Sequence, residues 1–232
     1  MIKNLNKFKK ICHKVNLQLS KSNLQFQTFG NVSQRIDSKH FIIKPSGANL
    51  DKISCKNYPI VRITNNKVVQ GNLKPSSDTP THSEIYKMDE NINGITHAHS
   101  KYVAIWSQSQ KKIPILGTTH ADYWKNDIPI TKKLTKKEIT NNYEKNIGIS
   151  IARVFTKKSK LKESPGVLVV NHGGFCWGKS AEESFLNFQR LEFIAELGYK
   201  TLIINKQTKM SKSLVRKHFY RKHGSKAYYG QK

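Results

Sequence analysis

The sequence predicts one α/β domain with a mixed or mainly antiparallel sheet covered by helices. Short strand-like apolar runs intermix with amphipathic helical stretches in no strict alternation. The chain carries no internal repeat, low-complexity tract or long linker, and its 232 residues suffice for one substantial hydrophobic core or two small ones.

Ile2, Leu5, Phe8, Ile11, Cys12 and Val15 recur at helical spacing with lysines opposite, which predicts a helix from Ile2 to Leu17. Strand-like pieces follow at Phe26 to Phe29, His40 to Ile43 and Pro59 to Ile63, separated by turns such as Pro45-Ser46-Gly47 and Asn65-Asn66. Thr81-His82-Ser83-Glu84 reads as a capping box opening a helix to about Met88. Gly94 to His99 reads as a strand and Tyr102 to Gln108 as a helix. A second box, Thr135 to Glu138, opens a longer helix with Ile139, Tyr143, Ile147, Ile151, Val154 and Phe155 inward and Gly148 as a weak spot. Gly166 to Asn171 is the clearest buried strand, followed by a glycine-containing loop from His172 to Lys179. Ser180 and Glu183 form a third box, opening a helix that ends near Gly198. A strand at Thr201 to Ile204 and a helix over about Lys209 to Arg221 come last. The tail from His223 to Lys232 is polar and rich in glycine and tyrosine.

No apolar run approaches a membrane span, and the basic N-terminus lacks the apolar core of a secretory signal, so the expected compartment is cytoplasmic with no membrane partner. Three widely spaced cysteines without a C-x-x-C pair agree with a reducing compartment. The net charge of +26 points to an anionic partner or to compositional bias. The lysines are scattered from Lys3 to Lys232 and no nucleic-acid-binding signature accompanies them, so no nucleic-acid partner is expected.

Six segments can carry chemistry. In Thr96-His97-Ala98-His99, two histidines two apart on a strand share a face, either as metal ligands or as ordinary polar residues at a strand end. His172, just past a buried strand and followed by Gly173-Gly174, can project into a cleft; three neutral nitrogens would suit zinc with positions left open for substrate. Ser76-Ser77-Asp78 before a capped helix suits a phosphate, with Asp78 able to add a carboxylate to a metal, or is simply a serine-rich turn. Lys44-Pro45-Ser46-Gly47 and Gly30-Asn31-Val32-Ser33 supply further short donors and one cation. Asp122 and His120, within Gly117 to Trp124, are candidate acid/base groups or an acidic helix start. A tyrosine of the tail segment Lys226 to Gln231 can exchange protons beside a cation; otherwise the tail is a frayed end. Cys176, between Phe175 and Trp177, reads as packing.

These segments, in this order over nearly the whole chain, resemble the class II aldolase and epimerase family, and within it the sugar-phosphate 4-epimerase branch. The resemblance implies a single domain over residues 1–232 with three layers, the sheet lying between helices. It implies a four-fold homotetramer with interfacial sites, and one zinc ion per subunit held by His97, His99 and His172 with Asp78 close by. Aspartate at that position matches the epimerase branch, whereas the aldolases carry glutamate. Phosphate binding falls to Gly30, Asn31, Lys44, Ser46, Gly47, Ser76 and Ser77, with His218 and Arg221 near the phosphate and tail. Asp122 and a neighbouring subunit's Tyr229 form the acid/base pair. The implied reaction is C4 epimerisation of a phosphorylated pentulose by C3–C4 retro-aldol cleavage and re-addition, in pentose catabolism such as that of arabinose. An aldolase that releases its fragments and a non-catalytic binding protein on the same fold are the alternatives. The family usually has proline at Gly174 and alanine at Cys176; Gly174 is expected to loosen the loop beside a metal ligand.

Overall fold

The computed structural model describes residues 4–223 and 227–229. Among these, seven strands form one sheet: β1 Gly30–Arg35, β2 His40–Ile43, β3 Ile60–Arg62, β4 Val68–Gln70, β5 Gly94–Ala98, β6 Gly166–Val169 and β7 Gly173–Gly178. Their order is β4-β3-β2-β1-β5-β7-β6, and all neighbours are antiparallel. The helices are α1 Leu5–Ser20, α2 Thr79–Met88, α3 Lys101–Ser109, α4 Thr118–Ala121, α5 Lys136–Thr140, α6 Tyr143–Val154, α7 Lys158–Glu163, α8 Ala181–Ile204 and α9 Lys212–His223.

Side-chain alternation makes the layers. Val32, Ala98, Leu168 and Cys176 bury against Val15 and Leu19 of α1, Val103 of α3 and Phe188 and Leu191 of α8. Their neighbours Ile95, Val167, Phe175 and Trp177 turn to the other face, against Ile85 and Tyr86 of α2, Ile147 and Ile151 of α6 and Leu161 of α7. A sheet loaded with apolar residues on both faces must be covered on both. The predicted three-layer α/β fold with a mainly antiparallel central sheet is therefore the one observed.

Several boundaries differ from the sequence reading. The expected strand at Phe26 to Phe29 is a turn closed by a single bridge between those two residues. The strand begins at Gly30, so a segment read as turn donors is a buried inner strand. Its polar side chains are tolerated because they pair internally: Ser33 Oγ lies 2.7 Å from both His82 Nδ1 and Tyr86 Oη. Helix α2 opens at Thr79, with Pro80 in its first turn. Thr81 therefore lies inside the helix, and its hydroxyl donates to the Glu144 carbonyl (2.5 Å) instead of capping. The Thr135–Glu138 box is present, but the helix breaks at Asn142 (φ 56°), leaving Ile139 exposed. Asparagine tolerates this left-handed conformation, and Asn146 donates to the loose carbonyls of Glu138 and Asn141. The loop expected at His172 to Lys179 is strand β7, so Gly174 is fixed between β5 and β6 and loosens nothing. The strand expected at Thr201 to Ile204 is the end of α8, which runs through Gly198 because that glycine packs closely on Ile113. Ile2 of the predicted first helix lies outside the described residues.

At Gly94, a Cβ would fall 2.1 Å from the carbonyl oxygen of Ser180, where the backbone entering α8 crosses β5. Gly94→Ala is expected to destabilise the protein by about 3 kcal/mol, read as a lowered urea midpoint at unchanged slope.

Candidate metal centre

Antiparallel pairing of β5 with β7 sets Ala98 opposite Gly174 and His97 opposite Phe175. The end of β5 thus meets the start of β7, where His172 sits in the turn from β6. The three histidines read from the sequence converge: one ring nitrogen from each of His97, His99 and His172 lies within 4.8 Å of the others. Ring centroids are 4.9 Å apart for His97 and His99, 4.9 Å for His97 and His172, and 4.7 Å for His99 and His172.

The orientation of His97 is fixed. Its Nδ1 lies 2.8 Å from the Gly174 carbonyl, so Nδ1 carries the proton and donates, and Nε2 keeps its lone pair for the cluster. His97 Nε2 stands 3.1 Å from His99 Nε2, and Phe175 stacks on the His97 ring at 4.0 Å. The Nε2 of His172 is buried without a hydrogen-bond partner among the described residues. Burial, reinforced by His99, holds His97 down to about 3. Burial lowers His172 and His99 as well. All three rings are neutral at pH 7, which is the form that ligates a divalent metal. An orphaned buried nitrogen and three neutral imidazoles aimed at one point fit such an ion.

Asp78 Oδ2 is 3.9 Å from His97 Nε2. Asn31, opposite His97 in the β1–β5 ladder, donates to that carboxylate oxygen (2.7 Å) and to Ser76 Oγ (3.1 Å). An isolated antiparallel bridge joins Pro45 and Pro75, with the Ser46 N–H donating to the Lys74 carbonyl (2.9 Å) and the Ser76 N–H to the Lys44 carbonyl (3.0 Å), so Ser46-Gly47 and Ser76-Ser77 leave the bridge in opposite directions. Ser46, Gly47 and Ser77 are exposed; Ser76 is buried, and its hydroxyl accepts from the Asp78 backbone N–H (3.3 Å). Gly30 (φ 137°) allows β1 to approach the His97 carbonyl, which a Cβ would meet at 3.0 Å. The Lys44 ammonium is buried and donates to the carbonyls of Thr28 and Gly30 (both 2.9 Å), so it braces the entry to β1.

Sequence reasoning missed Ser107 of α3. Its hydroxyl donates to the Val169 carbonyl and accepts from the His172 backbone N–H (3.1 Å), while its carbonyl accepts from Asn171 N–H (3.1 Å). A helical serine carries no sequence mark of this duty; the left-handed Asn171 (φ 56°) is the one local signal that a tight turn precedes His172.

The remaining predicted residues gather elsewhere. Asp122 is half of a paired fork with Arg221 (3.1 and 2.8 Å), accepts from His218 Nδ1 (3.0 Å) and lies 3.4 Å from Lys222. Burial pushes its carboxyl up, but the bonds from Arg221 and His218 and the charge of Lys222 outweigh that and hold it below the usual range. The Arg221 guanidinium covers the Tyr229 ring at 4.4 Å. Tyr123, Lys222 and Tyr229 line a cavity of about 950 Å³ together with Asn93, Trp177 and Gly178. Those last three mark the end of the β5–β7 ladder opposite the histidines, four strand residues or about 13 Å away. Within one chain, Asp122, His218, Arg221 and Tyr229 meet one another but do not reach the imidazoles. His120, the other acid/base candidate, is buried against Trp124 with Nε2 3.1 Å from the Asn126 carbonyl, a packing role. Cys176 is fully buried, which pushes its thiol well up, in keeping with packing.

A family model described as Class II Aldolase and Adducin N-terminal domain matches residues 11–199. The chain belongs to this family. Solved structures share its fold. An L-fuculose 1-phosphate aldolase superposes with a TM-score of 0.75 at 20% identity, covering 91% of this chain and 94% of the other. L-fuculose-1-phosphate aldolase from Thermus thermophilus gives 0.66 at 19% identity over 89% and 100%. A sugar-phosphate aldolase from Thermotoga maritima gives 0.67 at 16% over 90% and 99%. Among the described residues, no helix of this class II aldolase family member is long and apolar enough to cross a membrane.

Buried imidazoles, His82 and His97 among them, set an acid limit on the metal-free protein. His82 and His97 are each held neutral by burial down to about 3, whereas the unfolded chain takes up these protons near 6.5. Between those values the unfolded state binds more protons, so stability is retained above about pH 6.5 and lost as pH falls. The expected loss is up to about 1.4 kcal/mol per pH unit for each ring, measured by urea unfolding of chelator-treated protein from pH 7 to pH 4. His82→Asn should make that slope shallower by about one proton.

Proposed function

We propose that this protein is a zinc-dependent L-ribulose-5-phosphate 4-epimerase that interconverts L-ribulose 5-phosphate and D-xylulose 5-phosphate. The observation that carries the reading is the set of three neutral imidazoles converging on one point, with His172 Nε2 buried and unpartnered and Asp78 beside them. His97, His99 and His172 would hold the ion, with Asp78 contributing a carboxylate. A divalent ion supplies Lewis acidity for a carbonyl and stabilises negative charge released on carbon–carbon cleavage.

The chemistry explains why such a site is needed. The C4 hydrogen of the sugar is not adjacent to the carbonyl, so simple proton abstraction cannot invert C4. Breaking and remaking C3–C4 can, provided the aldehyde fragment stays bound and presents its other face. Ser46, Gly47, Ser76 and Ser77, with Gly30, Asn31 and Lys44 shaping and bracing the adjoining strand, form the proposed phosphate tether. Asp122 and Tyr229 exchange the C4 hydroxyl proton on opposite faces. Each lies on the far side of its own chain from the imidazoles, which supports supply of the acid/base group by a neighbouring subunit of a homotetramer. His218 and Arg221 hold Asp122 ionised there, ready to accept a proton. Aspartate at residue 78 favours the epimerase over the aldolases of the family, and the expected setting is pentose-phosphate sugar catabolism in the cytoplasm.

The test is turnover of L-ribulose 5-phosphate by protein whose zinc content has been measured. Formation of D-xylulose 5-phosphate with no free aldehyde supports epimerisation, release of dihydroxyacetone and glycolaldehyde phosphate shows an aldolase, and no turnover by the zinc-loaded protein rejects both. Asp122→Asn and Tyr229→Phe should each lower kcat by about 10²–10⁴-fold without lowering zinc content, whereas His172→Ala should lose the zinc.

A further inference from the structure

His97 is held by the Gly174 carbonyl, and His172 by Ser107 through its backbone. His99 has no such carbonyl partner among the described residues. Its ring meets His97, His172 (centroids 4.7 Å apart) and, at 6.2 Å, the exposed Phe29. It lies past the end of β5 in a link of two residues, His99 and Ser100, before α3 begins. Ser100 alone separates His99 from the first residue of α3.

That start is capped in an unusual way. Ser100 occupies the N-cap position, yet its hydroxyl does not accept from the helix. It donates to Glu192 Oε2 of α8 at 2.6 Å. Glu192 takes over the capping: Oε1 accepts from Tyr102 N–H and Oε2 from Val103 N–H, both at 2.9 Å. One carboxylate thus gathers three donors at the positive end of α3. At the other end of the helix, the Trp106 indole N–H donates to the Ala195 carbonyl, also on α8 (2.9 Å). Helix α3 is fastened to α8 at both ends. Between those ends it borders two of the three histidines, His99 before its first turn and His172 through Ser107.

We propose that Glu192 is a positioning residue for the metal site, setting His99 through the N-terminus of α3 without touching an imidazole. The inference rests on the metal-centre reading above. A carboxamide cannot replace the carboxylate, because one of its two termini carries only N–H and would face the Tyr102 N–H, or the Val103 N–H and the Ser100 hydroxyl. An aspartate keeps both oxygens but is one methylene shorter.

The experiment measures zinc affinity of chelator-stripped protein by competition with a chromophoric chelator, alongside the thermal midpoint of the same metal-free samples. Glu192→Gln is expected to weaken zinc binding about tenfold, Ser100→Ala by less, and Glu192→Asp to recover part of the loss. Ser180→Ala is the control: Ser180 caps α8 at the opposite end of the sheet, accepting from Glu183 N–H at 3.2 Å, and should lower the midpoint with no change in zinc affinity. Zinc binding by Glu192→Gln and Ser100→Ala equal to wild type, with lowered midpoints, would overturn the proposal and leave Glu192 a helix cap only. If wild-type protein binds no zinc, the metal-centre reading falls and this inference falls with it.

Discussion

The β5–β7 pairing is the constraint on which the site depends. A strand ladder is periodic at two residues, so a slip of one would turn His97 to the other face and separate it from the Gly174 carbonyl. The register Ala98 opposite Gly174 places the last residues of β5 and the turn before β7 at one height. Glycine at 173 is what permits the approach, since a Cβ there would meet the Ala98 carbonyl at 2.8 Å and the His99 ring at 2.9 Å. The glycine pair after His172 is thus a packing requirement of the imidazole cluster, and neighbouring strands hold both members.

Placing this much polarity inside a sheet domain is costly unless each group is paired. The surrounding residues meet that need in sequence. Asn16 of α1 satisfies the Val32 N–H and carbonyl at the centre of β1 (2.8 and 3.0 Å). Asn31 orients Asp78, Ser33 links His82 with Tyr86, and Lys44 takes two carbonyls at the strand entry. Asn31 and Ser33, two apart, face their partners on one side of the sheet, while Gln34 on the other accepts from the Ala181 N–H (2.8 Å), which is why a strand with so few large apolar residues can lie inside the sheet. Among the described residues the pairing is incomplete at Asn31 Oδ1, His82 Nε2 and His172 Nε2, and of these three atoms the one that belongs to the imidazole cluster is His172 Nε2.

The same density of internal pairing explains what could be read from the sequence. Strands with branched apolar runs, β2 and β6, were legible, as were α1, α3 and α9 from their spacing. The three histidines were legible because H-x-H on a strand and H-G-G after one are patterns with a direct geometric meaning. The β1 and β7 segments were misread because glycine, asparagine and serine signal turns by local propensity, and only the tertiary partners of β1 and the close neighbours of Gly173 and Gly174 make them strands. Ser107 and Glu192 were illegible for a related reason. Their partners lie 62 to 92 residues away, and neither residue type is unusual in a helix.

Charge follows the same division of the molecule. No acidic residue occurs before Asp37 or after Glu196, so α1 and α9 are basic elements with no acidic residue of their own. At the far end of the sheet, α9 brings Arg221, Lys222 and His218 onto the single carboxylate of Asp122. One negative charge there faces at least two permanent positive ones, and the surrounding potential is positive. The cations that keep Asp122 ionised thus also leave surplus positive charge beside it. An anionic ester bound between this end of one subunit and the imidazole end of another would meet the electrostatic complement that Asp122 alone cannot provide. Under the proposed function, part of the chain's +26 charge would have this local use, while the lysines scattered over the rest of the sequence need no such account.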